Sequence, residues 1–350
     1  MRSRLTIAIL AINLSVSLGA CVNRHPAPQP DRRVLQIPGT SATIEFVKIE
    51  GGSFNLDGCE SVMPSFWISS HEIAWEHFEP FASTETAVRF AVQDGLVDRK
   101  AIELVGLLDL PKHPLAHQWW LYSLFTNTSP TRKHPASNIT PHTAVQYCRW
   151  LTWLGDEEVR LPTYNEWLFI RSKLIPNNMS KNDNALFLKD KSVCQIGRDK
   201  WDRPAMIQSK RCDTLGLYDY FGNVGEWVLE RRRNGAIVAS LMGGAWNDDG
   251  EGCLEIRGEI DHEDWKVGDP ERPLNKWYYS SSDHRMGFRL VIAHESDRTW
   301  WKDVERNLLG RDRTERFDKG VNNNELRSLS PMVIKALNTV VLKAQWKDVE

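Results

Sequence analysis

The chain has 350 residues, enough for one large domain or two medium ones and for a sizeable core. Its 44 basic and 46 acidic side chains leave a net charge of −2, which removes any electrostatic footprint for nucleic acid. A hydrophobic share of 41% and a charged share of 26% fit a folded soluble domain. The unusual count is 15 Trp, which points to a loop-rich fold packed by large flat side chains, or to aromatic surfaces of the kind that bind sugars.

In chain order, Arg2 and Arg4 precede an apolar run from Leu5 to Ala20, too short to span a bilayer comfortably and shaped like a signal h-region. The run ends in Leu18-Gly19-Ala20-Cys21, which resembles a bacterial lipobox; residues 1–20 would be removed and Cys21 would carry the lipid. A plain secretory signal, with Cys21 incidental, is the other reading. Val22 rather than Asp in the next position resembles lipoproteins sorted to the outer membrane. Residues 21–42 carry Pro26, Pro28, Pro30 and Pro38 and read as an extended tether. No later stretch is long and apolar enough to cross a membrane.

Folded character is expected over residues 43–293. Thr43 to Ile49, the Gly51-Gly52 pair and Ser53-Phe54 predict a hairpin, and Phe66-Trp67-Ile68 a further strand. Residues 82–133 read as an insertion, helical from Ala87 to Leu108 and irregular beyond. Within it, Pro114 between His113 and His117 argues against a helical ligand pair. Thr140 with Pro141 starts a helix whose stripe is Ala144, Val145, Cys148 and Leu151, closed by Gly155. Thr163 and Glu166 form a capping-box pattern for a second helix, with Trp167, Ile170 and Leu174 inward. Residues 294–350 are a charged tail. It ends in an amphipathic helix from Ser330-Pro331 through Val333, Ile334, Leu337, Val340, Val341 and Ala344, which either packs on its own domain or docks a partner.

Several phrases, in order, resemble the formylglycine-generating-enzyme (sulfatase-modifying factor) family. They are Phe46 to Phe54, Phe66-Trp67-Ile68 with His71-Glu72-Ile73, and His134-Pro135-Ala136 with Ala144 to Leu151. They continue with Arg160 to Trp167, Gly216 to Val228, Met242-Gly243-Gly244-Ala245-Trp246 and Met286 to Leu290. The resemblance implies an α+β, C-type-lectin-like fold with little regular secondary structure and two central helices.

Active members of that family resemble one another in a Cys pair five residues apart, which binds copper(I); a soft, redox-active ion needs such thiolates. By that resemblance the second Cys is Cys253, but Asp248 stands at the first. Ala245 replaces the family's active-site Ser, and Gly225 an aromatic. The oxidase apparatus therefore reads as degenerate, and no copper is expected. A rebuilt iron site from Asp248, His262 and His284 has no recognisable ligand spacing. The family's structural Ca²⁺ site transfers as Asp219 and Glu226 side chains with Gly222 and Val224 carbonyls, unless the two acids only cap turns. Of the cysteines, Cys194 and Cys212 could form a disulfide, Cys148 reads as a buried thiol, and Cys59 and Cys253 remain.

The expected role is a lipid-anchored, non-catalytic binding or accessory protein of the bacterial envelope with a protein partner, as in a secretion or signalling system. Alternatives are a metal-dependent oxidase (non-haem iron or copper) acting on a periplasmic peptide or small molecule, and a glycan-binding module.

Overall fold

The computed structural model describes residues 30–56, 58–108, 110, 131–175, 203–248, 253, 285–321 and 330–343. The signal segment, Cys21, His113, His117, Cys194, His262 and His284 lie outside the described residues. The fold is mixed α+β, as the sequence implied. A five-stranded sheet runs β1-β2-β5-β10-β6, built from β1 (Arg32–Gln36), β2 (Thr43–Ile49), β5 (Phe66–Ser69), β6 (Val159–Arg160) and β10 (Val291–Ile292). A separate hairpin pairs β3 (Gly52–Leu56) with β4 (Cys59–Met63). A third sheet sets β7 (Gly225–Arg231) between β8 (Ile237–Met242) and β9 (Met286–Gly287).

Two expectations change here. Residues 32–36 are not tether but the first strand, antiparallel to β2 with Val34 opposite Glu45. The hairpin predicted across Gly51-Gly52 does not form, because β2 pairs with β1 and β5 while β3 turns back at Gly58 to meet β4. Gly51 serves a close approach instead: a Cβ there would lie 2.5 Å from the Met63 carbonyl oxygen. Gly58, at φ +85°, takes the left-handed turn position.

The helix expected from Ala87 begins earlier. α1 spans Trp75–Gln93, and His77 accepts the Ala74 N–H through Nδ1 at 3.1 Å. α2 (Lys100–Leu107) follows after a break at Gly95, φ +70°. α3 (Pro141–Leu154) and α4 (Tyr164–Leu174) have the caps read from sequence: Thr140 Oγ1 accepts the Thr143 N–H, and Thr163 and Glu166 cap reciprocally. α3 is buried beyond the predicted stripe, and its Tyr147 and Trp150 meet α1 through edge-on rings, Phe81 to Tyr147 at 5.6 Å and Phe81 to Trp150 at 5.8 Å. Trp150, Trp167 and Trp227 are fully buried, while Trp67 and Trp300 are half-buried. Packing, one of the two uses foreseen for the Trp surplus, is thus filled by the buried indoles.

The tail packs on its own domain. α5 (Arg298–Leu308), α6 (Arg311–Val321) and α7 (Ser330–Lys343) add Val304, Leu308, Phe317, Val333, Ala336 and Leu337 to the main core. Buried Arg149 on α3 bonds Glu305 Oε1 at 3.1 Å and Thr314 Oγ1 at 3.0 Å, which stitches α5 and α6 to the centre. Gly39, at φ +77°, lets β1's loop pass under α7, where a Cβ would meet Leu337 Cβ at 2.4 Å. The described part of the terminal helix is therefore a structural element, and its apolar stripe marks burial within this chain. Among the described residues no helix is long and apolar enough to cross a membrane. Leu337→Ala should cost about 2–5 kcal/mol, as buried Leu truncations do, and removing everything after Ala293 should abolish cooperative unfolding; urea melts followed by circular dichroism check both.

Candidate functional site

The loop leaving β8 carries the residues of interest. Gly243 and Gly244 both sit at positive φ, +86° and +72°. A Cβ on Gly244 would fall 2.7 Å from Cys253 Sγ, so the bare backbone of residue 244 lies against that buried sulfur. Immediately after, Asp248 Oδ2 accepts the Ala245 N–H at 2.8 Å while the Asp248 N–H returns to the Ala245 carbonyl at 2.9 Å. Arg285 Nη2 donates to Asp248 Oδ1 at 2.5 Å. Asp248 is buried, with both oxygens engaged in closing this turn. Gly225, where the family resemblance expects an aromatic, has its space filled by Leu241, whose Cγ would lie 2.8 Å from a Cβ. Ala245, Asp248 and Cys253 are each buried; His262 and His284, the other members of the iron set, lie outside the described residues.

Beneath this loop is a buried charge cluster. Arg289 donates through Nε to Glu226 Oε2 at 2.6 Å and through Nη2 to Glu226 Oε1, a two-point clamp. Its remaining donors reach the Ser69 and Tyr218 carbonyls, each at 3.1 Å. Glu72, from the strand-to-helix junction before α1, accepts from Asn223 Nδ2 at 3.0 Å through Oε1 and leaves Oε2 without a hydrogen-bond partner among the described residues. Asp219, held at φ +47°, leaves both carboxylate oxygens without one. Burial pushes the Asp219 carboxyl up to about 7 against the pull of Lys210 and Arg289. Burial, then the charge of Asp219, raises Glu72; burial also raises Glu226, with Arg289 opposing.

Of the residues expected to ligate a cation, Asp219 and Glu226 both join this cluster, yet their states differ: Arg289 already occupies Glu226, and Asp219 has no hydrogen-bond partner among the described residues. Glu72 and Arg289 were not singled out from sequence, although an acid amid the apolar Phe66 to Ala74 stretch was a visible anomaly. Among the described residues no three His, Cys, Asp or Glu side chains converge as metal ligands. Of the cysteines, Cys148 is buried, and burial raises its thiol well above the usual range. Cys59 is exposed on β4, and Cys212 is half-exposed with its suggested partner Cys194 outside the described residues.

The family profile described as "Sulfatase-modifying factor enzyme 1-like domain" matches residues 37–294, well over half of the chain. The chain belongs to the sulfatase-modifying factor enzyme 1-like domain family. Solved structures similar to it include CarF, at 16% identity and TM-score 0.42, covering 72% of this chain and 99% of that one. Variable protein 1 of Treponema denticola is 14% identical with TM-score 0.45, covering 75% and 99%. PvdO from Pseudomonas aeruginosa is 14% identical with TM-score 0.43, covering 77% and 100%. A search of the curated proteins returns no match. Within the family domain, Asp248 and Arg285 form one ion pair, and the cluster around Arg289 draws on the phrases His71-Glu72-Ile73, Gly216 to Val228 and Met286 to Leu290.

Two buried imidazoles flank the cluster. His71 and His77 stack at 5.4 Å, and burial lowers them to about 4 and about 3, the second also by the neighbouring ring. Both stay neutral at pH 7. Because the folded values lie below the ordinary 6.5, their stabilisation is complete above pH 6.5 and drains as pH falls toward about 4 and then about 3. Asp219, raised, works in the opposite sense, its contribution lost as pH rises through about 7. Comparing wild type with His77→Gln isolates the imidazole: the variant should lose a slope of up to about 1.4 kcal/mol per pH unit between pH 6 and 4. Identical pH profiles for the two proteins would refute the assignment. Glu226→Gln, which leaves Arg289 buried with its counter-charge gone, should cost about 3–5 kcal/mol in the same assay.

Proposed function

We propose that this chain is a non-catalytic binding or accessory protein of the bacterial envelope, anchored by lipid on Cys21 at the outer membrane, that keeps the family scaffold and has given up its oxidase chemistry. The observation that carries the reading is Asp248. By the family resemblance it stands where a copper(I) thiolate belongs, and its two oxygens are committed to Arg285 and to the Ala245 N–H. A hard carboxylate held in an ion pair is a poor ligand for copper(I), and Ala245 has no hydroxyl to take part in a reaction. Cys253 alone cannot supply the thiolate pair.

The scaffold role is compatible with a structural Ca²⁺. Asp219 offers two buried oxygens that no donor among the described residues satisfies, which suits a hard cation. Glu226 keeps acceptor capacity beyond the clamp of Arg289, since a carboxylate can accept about four bonds. With Gly222 and Val224 as carbonyl donors, these residues would hold the ion and neutralise the acid excess around Arg289. The partner would be an envelope protein, recognised by the domain surface rather than by Val333 and Leu337 of α7, which are buried.

Metal analysis of purified full chain, paired with oxidation assays on a Cys-containing peptide, tests the reading. The expected result is no stoichiometric copper or iron, no oxidation product, and a Tm that rises by several degrees when Ca²⁺ follows a chelator. Stoichiometric copper or iron accompanied by peptide oxidation would sink it. Asp219→Asn should remove the Ca²⁺ response without changing the metal-free fold.

A further inference from the structure

A cleft of about 790 Å³ opens on the molecule away from Asp248 and Cys253, neither of which lines it. Its lining includes Trp67 on β5 and Trp300 on α5, the latter beyond the residues 37–294 that match the family. The C-terminal extension thus contributes Ser296, Asp297 and Trp300 to a lining drawn mostly from the family domain. Tyr164 and Asn165 at the start of α4 and Glu230 near the end of β7 complete its rim.

Its charges answer one another. Arg160 bonds Glu166 at 2.6 Å and Asp297 at 2.9 Å, and Arg33 faces Glu157 at 3.7 Å. Arg231 turns away to Asp303 at 2.7 Å, and Glu230 is the one lining carboxylate with no ion pair among the described residues, so the lining carries a small negative excess and no positive one. The two indoles are half-buried and oriented by cations, the Arg33 guanidinium 4.5 Å from the Trp67 ring centre and that of Arg160 5.9 Å from Trp300. The backbone of the floor is already spent on internal bonds. Leu229 N–H goes to the Pro162 carbonyl at 3.0 Å, Ala293 N–H to the Glu158 carbonyl at 2.7 Å, and Ile292 is flanked in the sheet by Trp67 and Val159. A peptide could not add as a strand at Leu229 or Ile292.

We infer that this cleft binds a neutral saccharide chain. Such a ligand has apolar C–H faces to lay on Trp67, Trp300 and Tyr164, and hydroxyls for the amide of Asn165 and the carboxylate of Glu230. It needs neither net charge nor a strand edge. The proposal deepens the binding-module reading and rests on it, supplying a ligand class in addition to the protein partner.

Titration calorimetry of the full chain with chitohexaose, cellohexaose and maltohexaose, and with a neutral Ala/Ser hexapeptide as comparator, is the test. At least one saccharide should bind saturably and the hexapeptide should be silent. Trp300→Ala should weaken that binding about tenfold or more. Because Trp300 also leans on the core, Glu230→Gln and Asn165→Ala are measured beside it, each expected to weaken binding about threefold at unchanged Tm. The proposal is overturned if no saccharide binds, if binding survives all three substitutions, or if the hexapeptide binds in place of the sugars. Copper and iron content, measured on the same samples, separates a failure of this site from a failure of the non-catalytic reading.

Discussion

Everything around the centre of this molecule leans on the guanidinium of Arg289. Fully buried, it clamps Glu226 on β7 and donates to the backbone at Ser69, at the end of β5, and at Tyr218, in the loop that leads to β7. One cation thus ties the five-stranded sheet, the third sheet and the long loop between them. Such a pair contributes little net stability when whole, because desolvation cancels much of the attraction; its importance is that no member can be removed alone. That constraint explains why three carboxylates, Glu72, Asp219 and Glu226, tolerate one buried neighbourhood, and why the acid excess beside a single Arg calls for a proton or a cation.

The loop after β8 is held by local contacts. Glycines 243 and 244 give the left-handed backbone that brings residue 244 against Cys253, a geometry no side chain at 244 would permit. Asp248 closes the turn at Ala245 and pairs with Arg285, so an ion pair and a capped turn stabilise the loop. At Gly225, Leu241 fills the space a side chain would take.

The extension after residue 294 changes the molecule's outline more than its frame. Arg149 reaches from the middle of α3 to Glu305 and Thr314, and its planar group lies 4.8 Å from the Phe317 ring centre, so a buried charge specifies where α5 and α6 sit. With α7 against α1 and the loop at Gly39, the added helices become part of the core, and Trp300 on α5 joins the lining of the cleft.

What the sequence determined by itself was local or motif-borne. The caps at Thr140 and Thr163 and the inward stripes of α3 and α4 depend on spacings of three and four residues, and the family phrases identified the fold. The strand at Arg32–Gln36 was hidden because Pro-rich flanks read as tether and its pairing partner lies across a loop. α1 was begun too late because Pro80 interrupts the helical pattern, and the hairpin at Gly51 failed because only long-range contacts decide which strand a β2 edge meets. Asp219, Glu226, Ala245 and Asp248 were legible as positions. Only the tertiary structure decided which acid is clamped and which is orphaned, because a carboxylate's state is set by the donors that burial brings to it from Arg289 and Arg285, dozens of residues away.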